Sequence, residues 1–124
     1  TARTLNIPLV IVRRDSKVTE GPTVSINYVS GSSRRIQAMS LSRRAINQNT
    51  RSIFIDDFMK AGGTANGIIE LMREFENEVI DIGVLIETKE PEHKLVNNYI
   101  SLLTLDEVCE ETDTIKIEPS KLFV

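Results

Sequence analysis

The chain has one cysteine, Cys109, one histidine, His93, and no tryptophan. A single cysteine excludes an intrachain disulfide and any metal site built on paired cysteines. A single histidine argues against a histidine-based metal centre or a catalytic triad. No apolar run approaches the roughly 20 residues that span a bilayer, and no signal peptide is visible. The expectation is a soluble, cytoplasmic protein with no membrane partner. What remains is a chain of 124 residues, 40% hydrophobic and 27% charged, enough for one domain with one core. The net charge of −3 excludes a surface that is basic throughout. The basic residues are nevertheless uneven. Arg13, Arg14, Lys17, Arg34, Arg35, Arg43, Arg44 and Arg51 lie in the first half, and the second half is acidic from Glu70 onward. That distribution allows a local basic face as readily as an ordinary solvated surface.

Residues Thr1 to Asn6 read as the tail of a helix. Leu9 to Val12 is a continuous apolar run, β-branched apart from its leucine, and predicts a strand buried on both faces of a parallel sheet. Arg13 to Lys17 follows as a polar exit loop. After the break at Gly21-Pro22, Val24, Ile26 and Tyr28 alternate with Ser25 and Asn27. A turn at Ser30 to Ser33 and a second extended segment from Ile36 to Leu41 complete a long polar β-hairpin. Its weak apolar content predicts a mobile lid or an oligomer contact. Ser52 to Ile55 reads as a short buried strand ending at Asp56-Asp57. Ala65, Ile68, Ile69, Met72 and Phe75 recur at helical spacing and predict a helix packed on the sheet. Val79 to Ile86, Tyr99 to Leu105 and Ile115 to Ile117 read as later strands. Strand, glycine turn, helix and strand form one βαβ unit, so the class is α/β with a mostly parallel sheet.

The chemistry concentrates between Ser52 and Ala65. A buried strand carries two adjacent carboxylates to its C-terminal end, the edge at which open α/β sheets bind ligands. Gly62 and Gly63 let the backbone approach an anion closely and adopt positive φ. The N–H groups and dipole of the helix that follows suit a phosphate. Thr64 can add a hydroxyl contact or act as the helix N-cap. Carboxylates facing a phosphate would repel it, whereas carboxylates accepting hydrogen bonds from sugar hydroxyls would not. The pair Asp56 and Asp57 beside this loop therefore points to a phosphorylated sugar. A tight strand-to-helix turn with an acidic start is the plain alternative.

The stretch Ile53-Phe54-Ile55-Asp56-Asp57-Phe58-Met59-Lys60-Ala61-Gly62-Gly63-Thr64 resembles the recognition loop of type I phosphoribosyltransferases for 5-phosphoribosyl-1-pyrophosphate (PRPP). Further stretches are similar to the purine operon repressor family of Gram-positive bacteria. These are Val18-Thr19-Glu20-Gly21, the run from Val24 to Arg34, and the run from Tyr99 to Leu105; the similarity extends from about Asn6 to Leu105. The resemblance implies a type I phosphoribosyltransferase-like fold, with helices on both faces of the sheet and a protruding hairpin. Residues 1–124 would be an effector-binding domain. Its first core strand, its pyrophosphate loop and a winged-helix DNA-binding domain are expected before Thr1, so the chain looks truncated at its N-terminus.

In function, the resemblance implies a non-catalytic, homodimeric repressor of purine biosynthesis genes that senses PRPP and then lets go of operator DNA. Asp56 and Asp57 would hold the ribose, and Lys60, Ala61, Gly62, Gly63 and Thr64 the 5′-phosphate. Arg13, Arg14 and Lys17 are candidates for pyrophosphate or DNA phosphate. No catalytic cofactor is expected; PRPP is the effector, with Mg2+ as its candidate companion. Ala61 stands where the enzymes commonly carry threonine, which removes one hydroxyl contact worth about 1 kcal/mol. The alternative is a phosphoribosyltransferase of nucleobase salvage, for which the aromatic content of 5% leaves little to wall a base pocket.

Overall fold

The computed structural model describes residues 1–14, 22–30, 35–109 and 112–123, apart from the side chains of Glu107 and Cys109. The order is α1 (Ala2–Leu5), β1 (Thr23–Val29), β2 (Ile36–Ser42), β3 (Arg51–Met59), α2 (Gly63–Arg73), β4 (Glu78–Thr88), β5 (Ile100–Cys109) and β6 (Thr114–Pro119). The helical start holds as a single turn ended by Asn6 in the left-handed region. Strands β3, β4 and β5 are parallel neighbours, and β6 closes the sheet antiparallel to β5. The α/β class and the βαβ unit are as expected. An extra residue at Ile80 interrupts the β3–β4 register, which passes from Ser52–Val79 to Ile53–Asp81.

Helix α2 organises the core. Its residues Ile68, Leu71 and Met72, with Phe75 just beyond, pack against Tyr28, Met39 and Leu41 of the hairpin. Ala65 faces the sheet, in a cluster with Met59, Ile82, Val84 and Val96. Leu71 is 0% exposed and Met39 2%. The hairpin formed by β1 and β2 is therefore a wall of the core and not a weakly packed arm; its tip, 31–34, lies outside the described residues. Gly67 permits this packing. A Cβ there would lie 2.9 Å from Met39 Cε and 3.0 Å from Tyr28 Cβ. The helix gives up about 1 kcal/mol of propensity for this close approach.

Three further expectations need correction. Leu9 to Val12 is not a strand: Leu9 is 74% and Ile11 67% exposed. The segment's one described ladder contact is an antiparallel bridge from Arg13 to Ser40. A β-branched run becomes a strand only beside a partner edge, and β3 does not pair with it. Strand β3 does not stop at the acid pair but runs on to Met59, because Asp56 and Phe58 stay in register with Val84 and Ile86. Helix cover is found on one face of the sheet only, among the described residues. The other face carries exposed Ile53, Ile55, Ile80, Leu85, Ile100 and Leu102.

Candidate functional site

The acid pair sits in the C-terminal half of β3. Adjacent strand residues alternate between faces. Asp56 accordingly shares the half-buried side of Phe54, and Asp57 the exposed side of Ile55. Asp56 Oδ1 accepts the backbone N–H of Asp57 at 3.0 Å. Burial pushes the Asp56 carboxyl above the usual carboxylate range, and the charge of Asp57 adds to the rise. The Asp57 backbone N–H and the Arg14 guanidinium act in the opposite direction. Arg13 is tied by its backbone to Ser40, at 3.2 and 2.8 Å. Lys17 lies outside the described residues.

After Met59, the turn Lys60-Ala61-Gly62 leads into α2. Gly62 has φ 81° and ψ 12° and is the N-cap of the helix. Thr64 is therefore not the cap; it stands in the first turn, half-buried. The left-handed geometry explains the difference, since glycine enters that region without the cost a side chain incurs. The first helical hydrogen bond runs from Asn66 N–H to Gly62 O, at 2.9 Å. By helical geometry the N–H groups of Gly63, Thr64 and Ala65 have no acceptor one turn earlier. Together with the dipole, they make an anion-binding helix start.

Asp56, Phe58, Lys60, Gly62, Gly63 and Thr64 border one small depression, of about 20 Å³. Asp56 and the whole loop candidate set are thus brought together. Asp57 is exposed beside them and does not line the depression. The space is shallow, and falls far below the roughly 300–1,000 Å³ of a pocket that buries a drug-sized ligand. A larger cavity of about 270 Å³ lies between Leu9–Ile11 and Ser40–Ser42, and none of its lining belongs to the loop.

No local pattern of residues indicates what stands behind the turn. The connection between β4 and β5 lies there: Leu95 N–H donates to Ala61 O at 2.9 Å. The Thr88 hydroxyl approaches Lys60 O at 3.4 Å. A Cβ on Gly62 would be 3.3 Å from both Leu95 N and Val96 Cγ2. These residues follow the turn by about thirty positions, too far for any local pattern to link them.

A glycine turn from a parallel strand into a helix, with a carboxylate at its mouth, is the arrangement in which α/β domains receive phosphorylated ligands. The model of the phosphoribosyl transferase domain family matches residues 1–118. The chain belongs to that family. It is 55% identical over 114 residues to the purine biosynthesis transcriptional repressor PurR of Bacillus subtilis, covering 92% of this chain and 40% of that protein. It is 38% identical over 122 residues to the purine biosynthesis transcriptional activator PurR of Lactococcus lactis, covering 98% of this chain and 45% of that protein. The chain thus spans less than half the length of these curated relatives. In structure, it matches adenine phosphoribosyltransferase from Thermoanaerobacter pseudethanolicus with a TM-score of 0.72 and 24% identity, over 83% of this chain and 60% of that one. That likeness shows the fold alone. The resemblance to the purine operon repressor family is borne out by the relatives.

Proposed function

We propose that this chain is the effector-sensing part of a transcription regulator of purine biosynthesis genes, and that it binds PRPP without turning it over. The observation that carries the reading is the 55% identity to a purine biosynthesis repressor, over a chain in which Asp56 and the full turn line one small depression. The 5′-phosphate sits on the N–H groups from Ala61 to Thr64, with Lys60 beside it. The ribose hydroxyls donate to Asp56, from the depression, and to Asp57, from the exposed side of the strand. Arg14 would offset part of the charge of the pyrophosphate, and Mg2+ carried in with PRPP would offset the rest. The whole protein acts in the cytoplasm as a homodimer on operator DNA. No helix among the described residues is long and apolar enough to cross a membrane.

Control follows from linkage. If PRPP weakens DNA binding by some factor, DNA weakens PRPP binding by the same factor. Repression is the direction favoured by the most identical relative described above; activation is favoured by the name of the Lactococcus protein. A gel shift of the full-length protein on DNA upstream of a purine biosynthesis operon, with and without PRPP, tests the reading. Binding that PRPP releases supports it. Absence of DNA binding at low salt, with pyrophosphate released from PRPP and a nucleobase, would replace it with the salvage enzyme.

A further inference from the structure

We propose that Lys94 is a positioning residue that aims the Gly62 backbone donor of the Lys60–Gly62 turn at the anion. The inference rests on reading that turn as a phosphate cradle. In a planar trans peptide, the C=O of one residue and the N–H of the next point in opposite directions. Ala61 O is held toward Leu95 N–H, at 2.9 Å. The N–H of Gly62 must then point away from the β4–β5 connection, toward the open side of the turn. Lys60 O lies 3.4 Å from the Thr88 hydroxyl, whose single proton goes to Glu90 O at 2.6 Å, so the bond to Ala61 O is the firm anchor. The carbonyl anchored at the rear thus sets the Gly62 donor at the front.

The anchor needs its own support, because residues 89–99 contain no helix or strand. Lys94 supplies it. Its ammonium donates to Thr88 O at 2.7 Å and to Pro91 O at 2.6 Å. It thereby closes the segment between the hydroxyl that faces Lys60 and the N–H that holds Ala61. An ammonium brings three donors and no acceptor; an apolar side chain in its place leaves both carbonyls without it. The far end of the connection is fixed independently, where the Tyr99 and Ser101 hydroxyls both donate to the Glu87 carboxylate. Val96 is buried against Gly62 and the sheet. Lys94 is therefore the tie whose removal loosens the anchor while the strands on either side stay fixed. Its ammonium is used at the rear and does not touch the ligand.

The test is calorimetric titration of the full-length protein with PRPP and, separately, with ribose 5-phosphate. Lys94→Met is expected to weaken both ligands by the same factor, about tenfold, as for loss of a charge-assisted tie. Operator affinity without effector stays within about twofold. Lys94→Arg, which keeps charge and donors, recovers most of the loss. If Lys94→Met does not fold, Lys94→Gln carries the same readout. Unchanged PRPP affinity overturns the proposal. So does a loss confined to PRPP, which would put Lys94 on the pyrophosphate, and so does a matching loss of operator binding. If the wild-type protein binds neither ligand, the phosphate reading fails instead, and the two failures are told apart in one experiment.

Discussion

Replacing Gly62 by alanine strikes fold and site at one point. The residue has φ 81° and starts α2. An L-residue in the left-handed region costs about 1–2 kcal/mol. The new Cβ would also lie 3.3 Å from Leu95 N and from Val96 Cγ2. The first of these is backbone, held by its own bond to Ala61 O, so the neighbour that must yield is the one that shapes the turn. Adding a partial overpacking cost brings the total to about 1.5–3 kcal/mol. Asparagine tolerates left-handed geometry better than other non-glycine residues. The account therefore orders stability as Gly, then Asn, then Ala, then Val. Urea denaturation of the full-length variants measures the order, and PRPP titration should show affinity falling in the same sequence. An alanine variant within about 0.5 kcal/mol of wild type, with unaltered PRPP affinity, would refute the reasoning, since ordinary surface substitutions already lie in that range.

Other outcomes follow from the same structure. Leu71, with no exposed surface between hairpin and helix, should cost about 2–5 kcal/mol when cut to alanine. Paired with Met39→Ala in a double-mutant cycle on denaturation midpoints, it should show clear non-additivity, because both side chains share one cluster. Asp56 has its carboxyl pushed up, mainly by burial, from an ordinary 3.8. Between that value and its raised pKa the native state binds more protons than the unfolded chain. The group therefore lowers stability as pH rises through the folded pKa. Asp56→Asn should raise the melting temperature near neutrality, with the gain shrinking as pH falls toward the ordinary carboxylate range. A gain that grows on acidification would reverse the assignment. Operator binding by the full-length protein should weaken steeply with added salt; a flat dependence would remove phosphate contacts from the account.

The central βαβ unit was legible because its signals are local. The apolar run before Asp56, the glycine pair and the helical spacing from Ala65 each report on neighbours in sequence. What failed depends on partners that a sequence pattern does not name. Leu9 to Val12 has the composition of a buried strand, but strands need a ladder, and none of the described edges pairs along its length. The hairpin read as weakly packed because its polar alternation was visible. Its use of Gly67 to press Met39 and Tyr28 against α2 was not. Thr64 had the chemistry of an N-cap, yet the backbone turned two residues earlier, at the left-handed Gly62. The acid pair follows the apolar run of β3, but its division into a half-buried Asp56 and an exposed Asp57 depends on β3 continuing to Met59. The ties from Thr88 and Leu95 to the turn lie beyond any local window.

The most direct test of the central claim follows fluorescence anisotropy of labelled operator DNA bound to the full-length protein during a PRPP titration, for wild type and Asp57→Asn. The account predicts that wild type is released by PRPP, whereas Asp57→Asn binds the operator equally well and stays bound. Release of both proteins at the same PRPP concentration would contradict it, because the carboxylate assigned to the ribose would then play no part in sensing.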